Sequence, residues 1–353
     1  MTPSRTRGPD RNDQRGQHAA VSLPGLSIDG YSLALPDPEG DGFLGDRASQ
    51  TAFRELIARA RRDHLAGRDP FGRRGSRTLG KDEIDLVLVG GGADASHALH
   101  LAVEEYARQL CYVVQVFMAQ ADWAGVQRII IGGGFPEHEA GSLAMRRAIR
   151  LLELSQTGVS LVALRHDPDE AGLLGWSVLV PGEVHDYDAF LAVDVGGTKL
   201  RCGIVRHGLR RDASGGSGKV LESLVWRHAD DRPSRGQAVR RTAAMLNALA
   251  AFARTQRIRL APFVGVACPG TVEADGSLSA GAQNLPGNWE HPFNLPDALG
   301  AHLDRVDGQE PVVVMHNDAV IQGLSELDRM ADVRRFAVLT IGTGLGNATY
   351  TRR

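Results

Sequence analysis

Cysteine is scarce in this chain, with three residues in 353: Cys111, Cys202 and Cys268. Their wide separation excludes a disulfide framework and any CxxC-type zinc cluster. Net charge is nearly absent too, with 40 Lys and Arg against 42 Asp and Glu and a balance of −2. That removes the electrostatic reason to expect a nucleic acid or a membrane surface as partner. No apolar run approaches the ~18 residues of a membrane helix. The opening stretch MTPSRTRGPDRNDQRGQ has no apolar segment of the kind a secretory signal carries. The default expectation is a cytoplasmic location.

What the chain has in excess is glycine. There are 42 in 353 residues, roughly 12% against a usual ~7%. They are clustered, and the clusters are where chemistry should be sought. A hydrophobic fraction of 42% is enough for a real core. At ~100–200 residues per domain, the length suggests two domains or lobes.

Residues 1–22 are polar, Arg-rich and without periodicity, the pattern of a disordered tail. Asp46–Arg62 carries apolar residues at helical spacing, and 66–82 is a basic, Gly-rich linker. A long amphipathic helix is expected over 96–118, a strand over Arg128–Ile131, a helix over 142–152 and a strand over 159–164. Asp169–Val178 (DEAGLLGWSV) reads as a helix packed closely through its glycines. Strands follow at 190–195 and 201–206, with a turn-rich break at Ala213–Gly218 inside a hairpin over 200–228. A helix over 238–253 and strands at 262–267, 311–315 and 335–341 complete the pattern. Strands and helices alternate, so the class is α/β.

Asp194-Val195-Gly196-Gly197-Thr198-Lys199 places a carboxylate at a strand end, then two glycines and a hydroxyl residue. Glycines bare the backbone, so successive N–H groups can point at one anion, and the carboxylate can hold a hydrated Mg²⁺. A tight hairpin turn with a buried Asp reads equally well. Thr340-Ile341-Gly342-Thr343-Gly344-Leu345-Gly346 repeats the logic. Two such loops facing one another can clamp one polyphosphate between two lobes. Ile129–Phe135 (IIIGGGF) and Leu86–Gly92 (LVLVGGG) are rival strand-to-glycine segments that would let a flat ring approach the backbone. None of these is GxxxxGK[ST] or a GxGxxG that opens a helix, which disfavours P-loop and Rossmann readings.

His316-Asn317-Asp318-Ala319 follows the strand PVVVM and opens a helix. Asn317 and Asp318 are N-cap types worth ~1 kcal/mol. Equally, Asp318 stands at the carboxyl end of a strand, where α/β proteins place ligands, and an Asp there can take a proton from an attacking hydroxyl. Cys268-Pro269-Gly270-Thr271 ends another strand. Gln283–Trp289 (QNLPGNW) offers amides and a ring suited to a polyol, or is a loop with a buried Trp.

Taken together, VDVGGTKLRCGIV, VACPGTV, NLPGNW, HNDA and LTIGTGLG resemble the ROK family of sugar kinases, relatives of bacterial glucokinase, over residues 190–346. The resemblance implies a two-lobed actin-like ATPase (ribonuclease H-like) fold, ATP with Mg²⁺, and phosphorylation of a hexose hydroxyl. Asp194, Gly196, Gly197, Thr198 and Lys199 match its first phosphate motif, with Asp194 anchoring the metal through water. Gly342, Thr343 and Gly344 match the second. Asp318 matches the catalytic base and Asn317 a sugar contact, with Asn284 and Gly270 as further substrate positions. Gly132, Gly133 and Gly134 match adenosine-side glycines, which favours them over Gly90–Gly92.

The order of the parts departs from the family. The first phosphate motif begins at residue 194, while residues 96–180 resemble the family's C-terminal part. Residues 45–57 resemble the segment after its zinc loop. The reading is a circular permutation, with Val180–Asp188 joining the family's usual termini. It implies a large, nucleotide-side lobe (23–185 plus 336–353) and a small, sugar-side lobe (186–335). The alternative is an unrelated N-terminal domain fused to a truncated kinase half. The family's cysteine-rich zinc loop is missing, so no zinc is expected, and Asp46 stands where a sugar-binding Glu would be. The implied partners are a sugar and ATP, without nucleic acid or membrane, and with a homodimer left open. The alternative function is a non-catalytic sugar or nucleotide sensor on the same fold.

Overall fold

The computed structural model describes residues 13–65, 69–208 and 218–353. Runs of apolar and β-branched residues become its strands, and glycines mark where several of them stop. In chain order the elements are β1 (Ser22–Leu23), β2 (Leu26–Tyr31), α1 (Gln50–His64), α2 (Lys81–Gly90), α3 (Ala93–Met118), β3 (Arg128–Gly132), α4 (Glu139–Leu154) and β4 (Ser160–Ala163). Then come α5 (Pro168–Leu174), α6 (Trp176–Leu179), β5 (Ala189–Val195), β6 (Leu200–Arg206), β7 (Lys219–Trp226), α7 (His228–Asp231), α8 (Arg235–Thr255) and β8 (Leu260–Cys268). The last are β9 (Thr271–Val272), β10 (Leu278–Ala280), α9 (Leu295–Gly300), β11 (Val312–Asn317), α10 (Asp318–Leu324), β12 (Arg335–Ile341) and β13 (Leu345–Arg352). The α/β class expected from the alternation holds.

The chain divides into two units, neither continuous in sequence. Unit 1 takes the residues up to Tyr31, Asp169–Arg334 and Tyr350–Arg353, and unit 2 takes Ser32–Pro168 and Arg335–Thr349. Asp169–Leu179 and β2, which the sequence assigned to the large lobe, group with unit 1.

Unit 1 is built on a five-stranded sheet in the order β11-β8-β5-β6-β7. β5 runs parallel to β8 and antiparallel to β6, and β8 runs parallel to β11. Every residue of β5 is buried, as a central strand covered on both faces must be. One face packs on α8, whose Val239, Ala243, Leu246 and Leu249 join the strand residues Val193, Cys202 and Val264 in one core. The other face takes α5 and α6. Their approach depends on missing side chains: a Cβ on Gly265 of β8 would lie 2.6 Å from Trp176 Cγ, and one on Gly203 of β6 would lie 2.7 Å from Leu173 Cδ1.

Residues 13–22 belong to this unit, where the sequence suggested a tail running to residue 22; residues 1–12 of that tail lie outside the described residues. The Gly16 N–H donates to the Leu179 carbonyl (2.8 Å) and the Ala19 N–H to the Met315 carbonyl (3.1 Å). The reason is local: a polar stretch satisfies the open edge of β11 with backbone bonds that periodicity does not register. Residues 351–353 also pack here, against residues 25–29. Arg353 N–H donates to the Gly25 carbonyl (3.0 Å), and Thr351 Oγ1 donates to Asp29 Oδ2 of β2 (2.5 Å).

In unit 2 the strands follow the order β13-β12-β3-β4, with β12, β3 and β4 parallel. The long helix α3 buries Leu99, Val103, Tyr106, Leu110, Val114 and Phe117 against α1, α4 and the sheet. Helix α1 starts later than residue 46, because Ser49 caps it through Oγ (Ala52 N–H, 3.0 Å). Leu86–Gly92 is no strand. It forms the end of α2 and the turn after it, because Glu83 caps the helix at Gly80 N–H (2.7 Å) and Ile84 and Leu88 face the core at helical spacing. Of the 66–82 linker, residues 66–68 lie outside the described residues, as do 213–217 of the Ala213–Gly218 break.

A Cβ on Gly175 would collide with the Ile321 carbonyl oxygen of α10, a backbone atom that cannot swing away. Gly175→Ala should therefore lower stability by about 1–3 kcal/mol, read as a fall in melting temperature. An unchanged melting temperature would contradict this packing.

Candidate functional site

Three parallel strands of unit 1 end side by side, and the polar residues cluster at their carboxyl ends. Asn317 pairs with Cys268 in the β11–β8 register, and Asp194 pairs with Ala267 in the β5–β8 register. Asp194, Cys268 and Asp318 therefore emerge at nearly one level. This is the end of an α/β sheet where ligands bind.

Asp194 is buried, at 3% exposure. It is directly opposite Arg201 across the β5–β6 pairing, and Arg201 Nη1 donates to its Oδ2 at 2.8 Å. The other guanidinium nitrogen, Nη2, donates to Asp169 Oδ1 at the start of α5. Lys199 Nζ lies 3.2 Å from Asp169 Oδ2. Burial raises the Asp194 carboxyl above its usual range, opposed by Arg201 and reinforced by the charge of Asp169. Burial also works to raise Asp169, but Arg201 and Lys199 outweigh it and its net shift is downward. Helix α5 reaches this position because Gly172 has no side chain; a Cβ there would lie 2.6 Å from Asp194 Cγ.

The loop that follows β5 closes on itself through Gly196 N–H to the Lys199 carbonyl (2.9 Å). It is buttressed from α7. His228 bonds through Nε2 to the Gly196 carbonyl (2.8 Å), and Ala229 N–H donates to the Thr198 carbonyl (3.3 Å). Thr198 is exposed at the tip, with Gly197 and Lys199 partly exposed beside it.

Asp318 opens α10 and is half-buried. Its carboxyl is pushed up to about 7 by burial and by the charge of Asp194, against a partial offset from the Ala319 N–H at 2.9 Å. Burial raises the Cys268 thiol as well, and the two carboxylates add to that rise. The cap reading of this segment holds, on Asn317 and not on Asp318. Asn317 is the cap: its Oδ1 accepts from Val320 N–H (3.2 Å), while its Nδ2 donates to the Gly270 carbonyl (2.9 Å). The Asn317 amide is thus engaged at both ends in fixing α10 and the turn at Gly270. Gly270 has φ +102° and lies against the Ala280 carbonyl. Asn284 is exposed in a turn. Trp289 is not a platform for a sugar ring. It is 2% exposed, packs in the unit 1 core, meets Phe293 edge-on and donates Nε1–H to the Pro286 carbonyl (2.8 Å).

In unit 2 the two glycine loops come together. Gly132 pairs with Thr340 in the β3–β12 register. Gly133 has φ +78°, and a Cβ there would strike the Ile341 carbonyl. Gly342 N–H donates to the Gly344 carbonyl, and the Gly342 carbonyl accepts from Gln50 N–H at the start of α1, each at 2.9 Å. Lys81 Nζ donates to the Gly134 carbonyl (2.5 Å). Asp46 is exposed, and its Oδ2 accepts from Phe43 N–H (3.1 Å), closing its own turn.

Sequence reasoning passed over Arg201, Asp169, His228 and Gly172. Arg201 was visible in VDVGGTKLRCGIV, since a hairpin at Gly196–Lys199 sets residue 201 opposite 194. Asp169 had no signal beyond its place before the close-packing glycines of DEAGLLGW.

Among the described residues no group of three or more His, Cys, Asp or Glu is placed to hold a metal ion. Magnesium needs fewer, since one or two carboxylates suffice when phosphates and waters complete its shell. Asp194 Oδ2 accepts from Arg201 Nη1, and its carboxylate is a hard oxygen donor beside the loop. The hard oxygen donors here fit a hydrated magnesium held through water, not a cage of protein ligands.

No family model matches the chain, and no curated protein matches it. Among solved structures it is similar to a ROK family glucokinase from Streptomyces griseus in complex with glucose and AMPPNP, at 21% identity over 46% of this chain and 45% of that one, with a TM-score of 0.33. It is similar to an inorganic polyphosphate/ATP-glucomannokinase from Arthrobacter sp. strain KM, at 26% identity over 46% and 57%, with a TM-score of 0.33. A ROK hexokinase from Thermus thermophilus gives 23% identity over 46% of each chain and a TM-score of 0.31. The chain spans about half the length of the solved structures it matches. No helix among the described residues is long and apolar enough to cross a membrane.

Asp318 holds its proton more tightly folded, with a pKa of about 7, than unfolded, at about 3.9. The native state therefore binds the extra proton between those values, and stability falls as pH rises through that window. Asp318→Asn should melt higher than the wild type at pH 8, and the gap should narrow toward pH 5. Paired melts at the two pH values check this, and a gap independent of pH would contradict it.

Proposed function

We propose that this chain is an ATP-dependent sugar kinase in which Asp318 is the general base. The observation that carries the proposal is the meeting, at the ends of adjoining strands, of a half-buried carboxyl raised to about 7 with a backbone loop open at Gly197–Lys199. A base poised near neutral pH, beside a loop able to bind phosphate, is what transfer of a phosphoryl group to an alcohol requires. The residues match, position by position, the motif set that resembles the ROK sugar kinases.

In the proposed reaction the sugar hydroxyl gives its proton to Asp318 as its oxygen attacks the γ-phosphorus of ATP. The new O–P bond forms, the bond from that phosphorus to the β,γ-bridging oxygen breaks, and ADP leaves with the electron pair. The N–H groups of Gly197–Lys199, with the Lys199 and Arg201 side chains, stabilise negative charge on the phosphates, and Arg201 opposes the rise that burial gives the Asp194 carboxyl. Magnesium, when bound, would neutralise phosphate charge from the side of Asp194. Gly342–Gly344 and Gly132–Gly134 take the nucleotide-side role. Of the sugar positions, Asn284 and Asp46 offer exposed polar atoms, whereas Asn317 and Gly270 act by shaping the turn beside Asp318.

The same proposal includes circular permutation. In unit 1 the sheet order counts third-second-first-fourth-fifth along the chain. In unit 2 the order β13-β12-β3-β4 is second-first-fourth-fifth of the same plan, if β12 counts as the first strand. In that plan β2 would be the third strand, next to β13, and the residues beside the two, Arg353 and Gly25, are joined by a backbone hydrogen bond. A rearranged chain, with Arg353 linked by a short Gly/Ser segment to residue 13 and new ends opened between Pro181 and Asp188, should unfold in one cooperative transition. A chain that fails to fold would contradict the permutation.

A sugar panel with ATP, followed as ADP release, tests the activity. We expect sugar-dependent turnover whose rate rises with pH through an apparent pKa near 7, and a ~10²–10⁴-fold lower kcat in Asp318→Asn. If no sugar stimulates turnover while sugars or nucleotides still raise the melting temperature, the chain is a sensor instead.

A further inference from the structure

Asp169 belongs to none of the motifs that pointed to the site, yet it is the counter-ion of both cations beside the phosphate loop. Its Oδ2 faces Lys199 Nζ at 3.2 Å, and its Oδ1 accepts from Arg201 Nη2. We propose that Asp169 is an internal anion, which holds Lys199 and Arg201 in place of the donor's phosphates and gives them up when a polyphosphate binds. The inference rests on the kinase reading for the identity of the donor.

The two partners of Arg201 differ in a way that sets which one lets go. The Asp194 side chain is 5% exposed and wedged beneath Gly172, whereas that of Asp169 is 38% exposed at the first turn of α5. A buried pair is costly to break, because one charge would be left unpaired, and a solvated pair is weak. Arg201 uses separate nitrogens for the two, Nη1 for Asp194 and Nη2 for Asp169. It can therefore exchange Asp169 for a phosphate oxygen without leaving Asp194. A guanidinium fixed in this way is pre-oriented for a forked contact with phosphate. The Lys199 side chain is 32% exposed and needs only a rotamer change to follow.

Displacement also favours a polyanion over a single phosphate. One incoming charge merely replaces the carboxylate, while a chain of phosphates brings more charge than it displaces. Asp169 is in this sense a positioning residue that sets the threshold of anion binding.

Titration calorimetry with inorganic tripolyphosphate and with ADP, on the wild type, Asp169→Asn, Asp169→Glu and Lys199→Gln at two salt concentrations, tests the proposal. Asp169→Asn should bind tripolyphosphate about three- to tenfold more tightly, with the gain shrinking at high salt. Asp169→Glu should return toward the wild-type affinity, and Lys199→Gln should bind severalfold more weakly. A purely structural role would lower the melting temperature of Asp169→Asn without tightening anything. Equal or weaker binding in Asp169→Asn overturns the proposal. Should that variant not fold, unchanged tripolyphosphate affinity in Lys199→Gln overturns it. Absence of sugar-dependent turnover with this affinity pattern intact would remove the kinase reading alone.

Discussion

One guanidinium organises the charge of unit 1. Arg201 lies between the carboxylates of Asp194 and Asp169, contributed by β5 and by α5. Without it, two carboxylates would stand at a covered sheet end where ionisation is opposed by burial. With it, Asp194 has a partner for its charge despite being enclosed, at the cost of desolvating Arg201. Burial alone would lower the affinity of Arg201 for its proton, and the two carboxylates overcome that and raise it. The charge on Asp194 then reaches the next carboxyl, Asp318. Burial and that like charge together lift Asp318 to about 7. The Asp318 carboxyl is set by burial first and by the charge of its neighbour second.

The close approach behind this arrangement depends on three of the glycines. Gly172 admits Asp194, Gly175 admits the backbone of α10, and Gly265 admits the Trp176 ring. Each glycine removes a side chain at a point where α5 or α6 meets β5, β8 or α10. Asp169 and Asp194, remote in sequence, are neighbours in unit 1 because of the gap at Gly172. In unit 2, Gly133 serves the same end, letting the loop after β3 pass the end of β12.

Much of this was legible in the residues, and the failures have physical reasons. Asp194, Gly196–Lys199 and Asp318 were recognisable because strands, turns and caps leave local patterns, and the fold does put them at strand ends. Leu86–Gly92 misled because an apolar run before glycines looks alike in a strand and in a helix end. Only the cap at Gly80–Glu83 distinguishes them. Trp289 misled because amides beside a ring fit a polyol site as well as a core. Its burial depends on β8, α8 and α9, which the loop itself does not reveal. Residues 13–22 lacked periodicity because they are held by single bonds to α6 and β11, from the backbone of Gly16 and Ala19 and the ring of His18, and not by a buried face. The pairing of Arg201 and Asp169 was hidden because it joins segments 32 residues apart.

The central claim is that Asp318 titrates near neutrality. Carbon-13 NMR of the folded chain with labelled aspartate, compared with Asp318→Asn, reads this carboxyl directly. The account requires one resonance, lost in the variant, that titrates near pH 7. A resonance for Asp318 titrating near pH 4, in the ordinary carboxyl range, would contradict it.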